Sequence, residues 1–238
     1  MNGILFVKTY NTSISNVHNP SEKYLLDLIS KGENQYTDFK FEISDSRKIA
    51  RSISAFANSG GGRLLVGVKD NGKIAGIRSE EEYYMIQGAS LLYLKPKMQP
   101  EYKIWNIGGL TVLEVIVEKS KTQIYYAQDE SHAWKLYIRI NDQNHVAPPL
   151  LEKIWKKKNK RGILLKYSLA ESNLLHYLEE NSFICREQFK KIAVISDREA
   201  DEILSDLVIL KALDYRMKDH DLVFMLNPGF KREDYFLR

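Results

Sequence analysis

The sequence predicts an α+β protein in two main parts. A mixed-sheet domain with embedded helices covers residues 21–149, and a small winged helix-turn-helix-like domain covers 168–238. Three observations carry this. Phe56 to Ile77 reads as the end of an apolar-faced helix, a glycine turn, a strand, a tight turn and a returning strand. Asn71-Gly72 and Gly108-Gly109 each sit between β-rich runs, where such pairs signal hairpins. Pro148-Pro149 marks a boundary, and from residue 168 three helical patterns and a hairpin follow in close succession, the helix-turn-helix plan with a wing.

Residues 1–20 read as an extension, with a strand-like run over Gly3–Tyr10 and a polar loop from Asn11. A first helix begins near Ser21, a good N-cap, and carries Leu25, Leu28 and Ile29 to a stop at Gly32. Tyr36 to Glu42 alternates at period two, with Thr37, Phe39 and Phe41 on one face and Tyr36, Asp38, Lys40 and Glu42 on the other. That predicts a half-buried strand with one charged face. Ile49, Ile53 and Phe56 recur at helical spacing, which leaves Arg47, Lys48 and Arg51 on the wet side. Gly60-Gly61-Gly62 ends that helix, since glycine tolerates positive φ in a sharp reversal. Leu64–Val68 is apolar enough for a buried strand, and Ile74–Ile77 returns from the Asp70–Lys73 turn.

A helix over 79–93 follows, broken by Lys95–Pro100, and then a hairpin of Tyr102–Ile107 with Leu110–Val117. Glu118–Gln123 reads as a polar loop and Ile124–Tyr126 as extended chain. Trp134–Ile140 is the last strand, with Trp134, Leu136, Ile138 and Ile140 facing one way and Lys135, Tyr137 and Arg139 the other. Residues 150–167 read as a helix running into a basic linker, solvated or in contact with phosphates. Beyond it, Leu174, Leu175 and Leu178 mark one helix, Arg186–Ala193 a second, and Asp197 caps a third. Ala212–Arg216 and Leu222–Leu226 flank the wing.

Three runs carry a family resemblance: GENQYTDFKFE (32–42), FANSGGGRLLVGVKDNGKIAGI (56–77) and LYIRINDQNHVAP (136–148). Together they resemble the Schlafen AlbA-like domain family, found in DNA-binding proteins and transcriptional regulators. Two departures stand out. Asp38 occupies a position where the family usually has Glu, and Asn141-Asp142-Gln143 replaces the usual Gly-Ser-Ser. The resemblance implies an AlbA-like fold and a nucleic-acid partner, DNA or RNA. It also aligns Glu33, Asp38 and Asp70 with a three-carboxylate metal site found in nuclease-active relatives.

Bulk properties narrow the classes. A net charge of +4 allows a polyanionic partner without requiring one. Cys185 is the sole cysteine, so the chain can form neither an internal disulfide nor a cysteine-based zinc site. No apolar run approaches the ~20 residues needed to span a bilayer. The chain reads as soluble, cytoplasmic and without a membrane partner. The five histidines are scattered without metal-ligand spacing.

Two constellations remain as candidate sites. Lys40, Arg47, Lys48, Arg51, Arg63, Lys69, Lys73 and Arg139 form an expected phosphate-facing surface, and the amides of Gly60, Gly61 and Gly62 could add to it. Glu33, Asp38 and Asp70 are the candidate catalytic and metal-binding carboxylates. They would hold Mg²⁺ or Mn²⁺ in a ribonuclease or deoxyribonuclease; otherwise no cofactor is expected. The third helix of the C-terminal part offers five acids against Arg198 and Lys211, which argues for a dimerisation or docking role over groove reading. The leading expectation is a nucleic-acid-binding transcriptional regulator that forms a homo-oligomer. The alternatives are the metal-dependent nuclease and a non-enzymatic protein-assembly module.

Overall fold

The computed structural model describes residues 20–158, 168–219 and 221–231. The extension over 1–19, the basic residues Lys160, Arg161 and Lys166, and two of the histidines, His18 and His220, lie outside the described residues. In chain order the first part runs α1 (Pro20–Ser30), β1 (Thr37–Lys40), α2 (Ser46–Asn58), β2 (Gly62–Val66), α3 (Glu81–Leu92) and β3 (Leu94–Lys95). It continues with β4 (Glu101–Ile107), β5 (Leu110–Val117), β6 (Tyr126–Gln128), β7 (Trp134–Ile140), β8 (Gln143–Val146) and α4 (Pro149–Lys158). The second part holds α5 (Leu169–Glu180), β9 (Ile184–Cys185), α6 (Arg186–Ala193), α7 (Asp197–Ile209), β10 (Leu213–Lys218) and β11 (Asp221–Leu226).

These elements stack in layers around α2. One mixed sheet has the order β1-β2-β5-β4, with β1 parallel to β2 and the other pairs antiparallel. A second sheet, all antiparallel, has the order β3-β6-β7-β8. Helix α2 lies between them: Ile49, Ile53 and Phe56 share one core with Leu64, Val66 and Val115 of the first sheet and Tyr137 of the second. Helix α1 covers the far side of the first sheet, where Leu25 and Ile29 meet Phe39, Leu65 and Val112. The far side of the second sheet carries α4 and the C-terminal part, with Leu136 and Ile138 in one core with Leu151, Ile154, Leu174 and Leu204. Burying each such side chain contributes roughly 1.5–3 kcal/mol.

This layering explains where the structure departs from the periodicity. Strand β1 is half-buried only in pattern; Thr37, Asp38 and Phe39 are all buried, because α1 covers one face and α2 with β7 the other. Strand β7 is likewise buried on both faces. The returning strand at Ile74–Ile77 reduces to a single Val68–Ile74 bridge. Gly67, at φ 94°, turns its carbonyl to accept both Ala75 N–H (2.8 Å) and Gly76 N–H (2.9 Å), while Ile77 N–H donates to Thr111 O (2.7 Å). A Cβ at Gly67 would stand 2.8 Å from the Gly76 carbonyl carbon, so only glycine fits this crossing.

The segment from Pro149 to Lys158 is not a solvated spacer over its described length. Leu150, Leu151 and Ile154 of α4 are buried against the C-terminal part. That part has three helices and a three-stranded antiparallel sheet in the order β10-β11-β9. The third of these helices is capped by Ser196, whose hydroxyl accepts from Glu199 N–H, rather than by Asp197.

Candidate nucleic-acid interface

The acidic candidates separate. Glu33 and Asp38 meet where the chain enters β1. The Glu33 carboxylate accepts the Phe39 N–H (2.8 Å), and burial together with the adjacent Asp38 carboxyl holds its pKa above the usual glutamate value. Asp38 is 4% exposed and is held from several sides. Lys40 Nζ lies 2.9 Å from Oδ2, Ser52 Oγ donates to the same oxygen at 3.4 Å, and Arg139 Nη2 lies 3.4 Å from Oδ1. Asp70 stays on the exposed turn after β2. Among the described residues, no three His, Cys, Asp or Glu side chains are gathered so that they could hold a metal ion. The donor set is two carboxylates, one of them already neutralised by two cations, and that does not fit a three-carboxylate metal centre.

Arg139 is the main correction to the expected phosphate surface. Its side chain is 1% exposed. It donates to the Asn34 carbonyl (3.2 Å), the Thr37 carbonyl (3.2 Å) and Asn144 Oδ1 (3.0 Å), and its guanidinium lies 4.9 Å from the Phe56 ring centroid. It ties β7, β8 and β1 to α2 from inside. Most of the other expected cations have partners too. Arg63 pairs with Glu114 (2.9 Å), Arg47 with Asp45 (3.5 Å), and Arg51 with Glu130 (3.5 Å). Lys48, Lys69 and Lys73 are exposed and enter no ion pair among the described residues; Lys69 lies over the Phe41 ring at 5.0 Å.

The glycine turn is a packing device in this fold. Gly61 sits at φ 76° and its N–H is taken by the Phe56 carbonyl (2.8 Å), so that amide does not face a ligand. A Cβ there would stand 2.9 Å from both Lys119 N and Val117 O, and one on Gly62 would stand 2.2 Å from the Phe56 ring.

Residues 33–148, which run from the entry of β1 through the glycine turn to the close of the β7–β8 hairpin, match the family described as Schlafen, AlbA_2. This stretch is a Schlafen AlbA_2 domain. No curated protein matches the chain. Among solved structures, the chain is similar to the DIP2311 protein from Corynebacterium diphtheriae (18% identity, TM-score 0.44), over 86% of this chain and 42% of that one. It therefore spans less than half of that protein's length. It is also similar to the N-terminal domain of a Nitrosomonas europaea protein named as related to the ATP-dependent DNA helicase RecG (19% identity, TM-score 0.37), over 61% of this chain and 95% of that domain.

Beside the AlbA_2 domain, the acidic helix of the C-terminal part gains a different meaning. The acids of α7 look uncompensated along the sequence, yet most are paired within the folded chain. Lys153 Nζ meets Glu202 (2.7 Å), and Lys157 Nζ meets both Glu202 (2.6 Å) and Asp206 (2.6 Å). On the other flank, Arg186 bonds Asp201 (2.5 Å) and Asp197 (3.4 Å), and Lys190 also pairs with Asp197. Lys153 and Lys157 pull the Glu202 pKa down to about 2. Helix α7 therefore lies clamped beneath α4. Glu114 is the residue that sequence reasoning passed over. It is fully buried in β5, where Tyr24 OH (3.1 Å) and Trp105 Nε1 (2.9 Å) donate to it beside Arg63. Its signal was a lone acid inside the apolar run Leu110–Val117.

Proposed function

We propose that this protein binds nucleic acid through its AlbA_2 domain and acts as a DNA-binding transcriptional regulator. The observation that carries the reading is the AlbA_2 domain over residues 33–148. Lys48, Lys69 and Lys73, exposed and outside any ion pair among the described residues, supply open positive charge of the kind phosphates attract. We read the C-terminal part as a winged helix that supports the domain rather than reading a groove, a reading supported by the ion pairs of Glu202 and Asp206 of α7 with Lys153 and Lys157 of α4. Self-association loses the argument it drew from those acids, since they are paired inside the chain.

The test is a titration of the full chain with single-stranded and duplex DNA and RNA at several salt concentrations. Binding weakens as salt rises. Replacing Lys48, Lys69 and Lys73 by Ala flattens the slope by up to roughly 3 for duplex, at about 0.9 for each phosphate no longer neutralised. Absence of salt-sensitive binding to any nucleic acid overturns the reading and favours the protein-assembly alternative. The same mixtures with Mg²⁺ or Mn²⁺ address the nuclease alternative. Binding without cleavage is the expected outcome; cleavage abolished by Glu33→Gln or Asp70→Asn would establish the enzyme instead.

A further inference from the structure

Between the two parts of the chain lies a cleft of about 510 Å³. Its walls are the C-terminal end of α2, the 119–123 loop, the end of β7, α4 and β10. Its charged lining is one-signed. Lys119, Lys121, Lys158 and Arg216 line it, all exposed and in no ion pair among the described residues; Arg139 also lines it but is bound to Asp38. No carboxylate lies among its described lining residues. This contrasts with the neighbouring surfaces, where Arg47, Arg51, Lys153 and Lys157 each have an acid. Two aromatic rings complete the wall, Trp155 and Tyr215, half-buried and fixed to each other by an indole N–H donating to the phenol oxygen at 2.8 Å.

Four cations outside any described ion pair, gathered around a pocket with rigid aromatic rings, match the chemistry of a nucleotide unit. Lysine and arginine hold the phosphates, and a base of any identity can lie on an aromatic face. The volume falls in the range of clefts that enclose a small molecule and cannot admit the width of a duplex. The geometry points to a binding site for single-stranded nucleic acid in this cleft, its phosphates on Lys119, Lys121, Lys158 and Arg216 and one base against Trp155 and Tyr215. The inference rests on the nucleic-acid-binding reading above and moves the single-strand contact away from the surface the sequence indicated. It also gives the C-terminal part a role, since β10 supplies Tyr215 and Arg216 to the site.

The experiment uses the full chain and fluorescently labelled oligonucleotides, single-stranded and duplex, followed by anisotropy across a salt series. A variant with Lys119, Lys121, Lys158 and Arg216 all changed to Ala loses single-strand affinity by roughly tenfold or more at low salt. Its salt slope falls by roughly 3, at about 0.7 per phosphate on a single strand. The Lys48, Lys69 and Lys73 variant retains single-strand binding. Because all four cleft positions are exposed, a circular-dichroism melt matching the parent shows that the variant is folded. A folded cleft variant that binds single strands with the parental affinity and slope overturns this inference and leaves the functional reading standing. A parent protein that binds no nucleic acid overturns both. A mononucleotide that saturates the cleft as tightly as the oligonucleotide assigns the site to free nucleotides and overturns the strand commitment.

Discussion

Arg139 shows how a single residue can mislead a pattern and then organise a fold. Alternation along β7 put it beside Lys135, on what looked like a wet face. Period two reports which residues share a face, and it is silent on whether a second layer covers that face. Here α2 does, and the guanidinium adds a further donor to the Asn34 and Thr37 carbonyls, which also accept each other's backbone N–H. Arg139→Met should therefore destabilise the protein by about 3–5 kcal/mol, because it leaves Asp38 buried beside a single partially exposed lysine. Chemical denaturation checks this, and an unchanged midpoint would return Arg139 to the surface. Glu33 is the opposite case. Its raised pKa means the folded state holds the proton more tightly than the unfolded chain, so its ionised form opposes folding at neutral pH and the penalty fades as pH falls through the folded pKa. Glu33→Gln keeps an acceptor for the Phe39 N–H, so it should match or exceed the parent in melting temperature at pH 8, with the gap narrowing toward pH 4.

At the scale of elements, the long amphipathic signals and the Gly108-Gly109 hairpin read true. Helix α2, the β4–β5 hairpin, α5, α6, α7 and strands β10 and β11 all stand within a few residues of their expected bounds. The short pieces did not, because a two-residue slip or an unannounced pairing leaves no periodic trace; β8 and the Gly67 crossing are examples. The glycine turn was legible as a stop but not as a packing joint, since the atoms it meets come from Tyr36, Phe56 and the chain around the end of β5. Gly61→Ala combines positive φ with close backbone approach and should cost about 1–3 kcal/mol, whereas Gly60→Ala meets only the movable Tyr36 ring and should cost much less. Thermal melts of the two variants give the comparison. The α4–α7 clamp has its own pH signature. Glu202 is depressed from 4.5 to about 2, so its stabilisation is present above pH 4.5 and drains away as pH falls toward 2. Lys153→Ala with Lys157→Ala should remove that acid-sensitive component, readable as a loss of pH dependence in urea midpoints over this window.

The whole molecule is a stack in which no layer is closed by its own sequence neighbours alone. That is why the candidate sites were only partly legible. Each cleft residue is ordinary in its own stretch, and the site exists only where α2, the 119–123 loop, α4 and β10 come together. The same stacking governs truncation. A chain cut after residue 149 keeps the AlbA_2 match yet strips the cover from Leu136 and Ile138, which are 3% and 4% exposed in the intact protein. It should aggregate rather than give a clean isolated domain, as size-exclusion chromatography would reveal; a soluble monomer would show that α4 and the C-terminal part are dispensable for the sheet.

The separation of Asp38 from Arg139 along the chain also has a meaning in time. The two lie 101 residues apart. A ribosome adds about 5–20 residues per second, so the carboxylate of β1 waits roughly 5–20 s after its own synthesis before its arginine exists. During that interval Asp38 has Lys40 and then Ser52 but no guanidinium, and β1 lacks the part of its cover that β7 supplies. The nascent chain can form helices early, but the first sheet becomes a closed structure only after β7 is made, and the second sheet only when α4 follows.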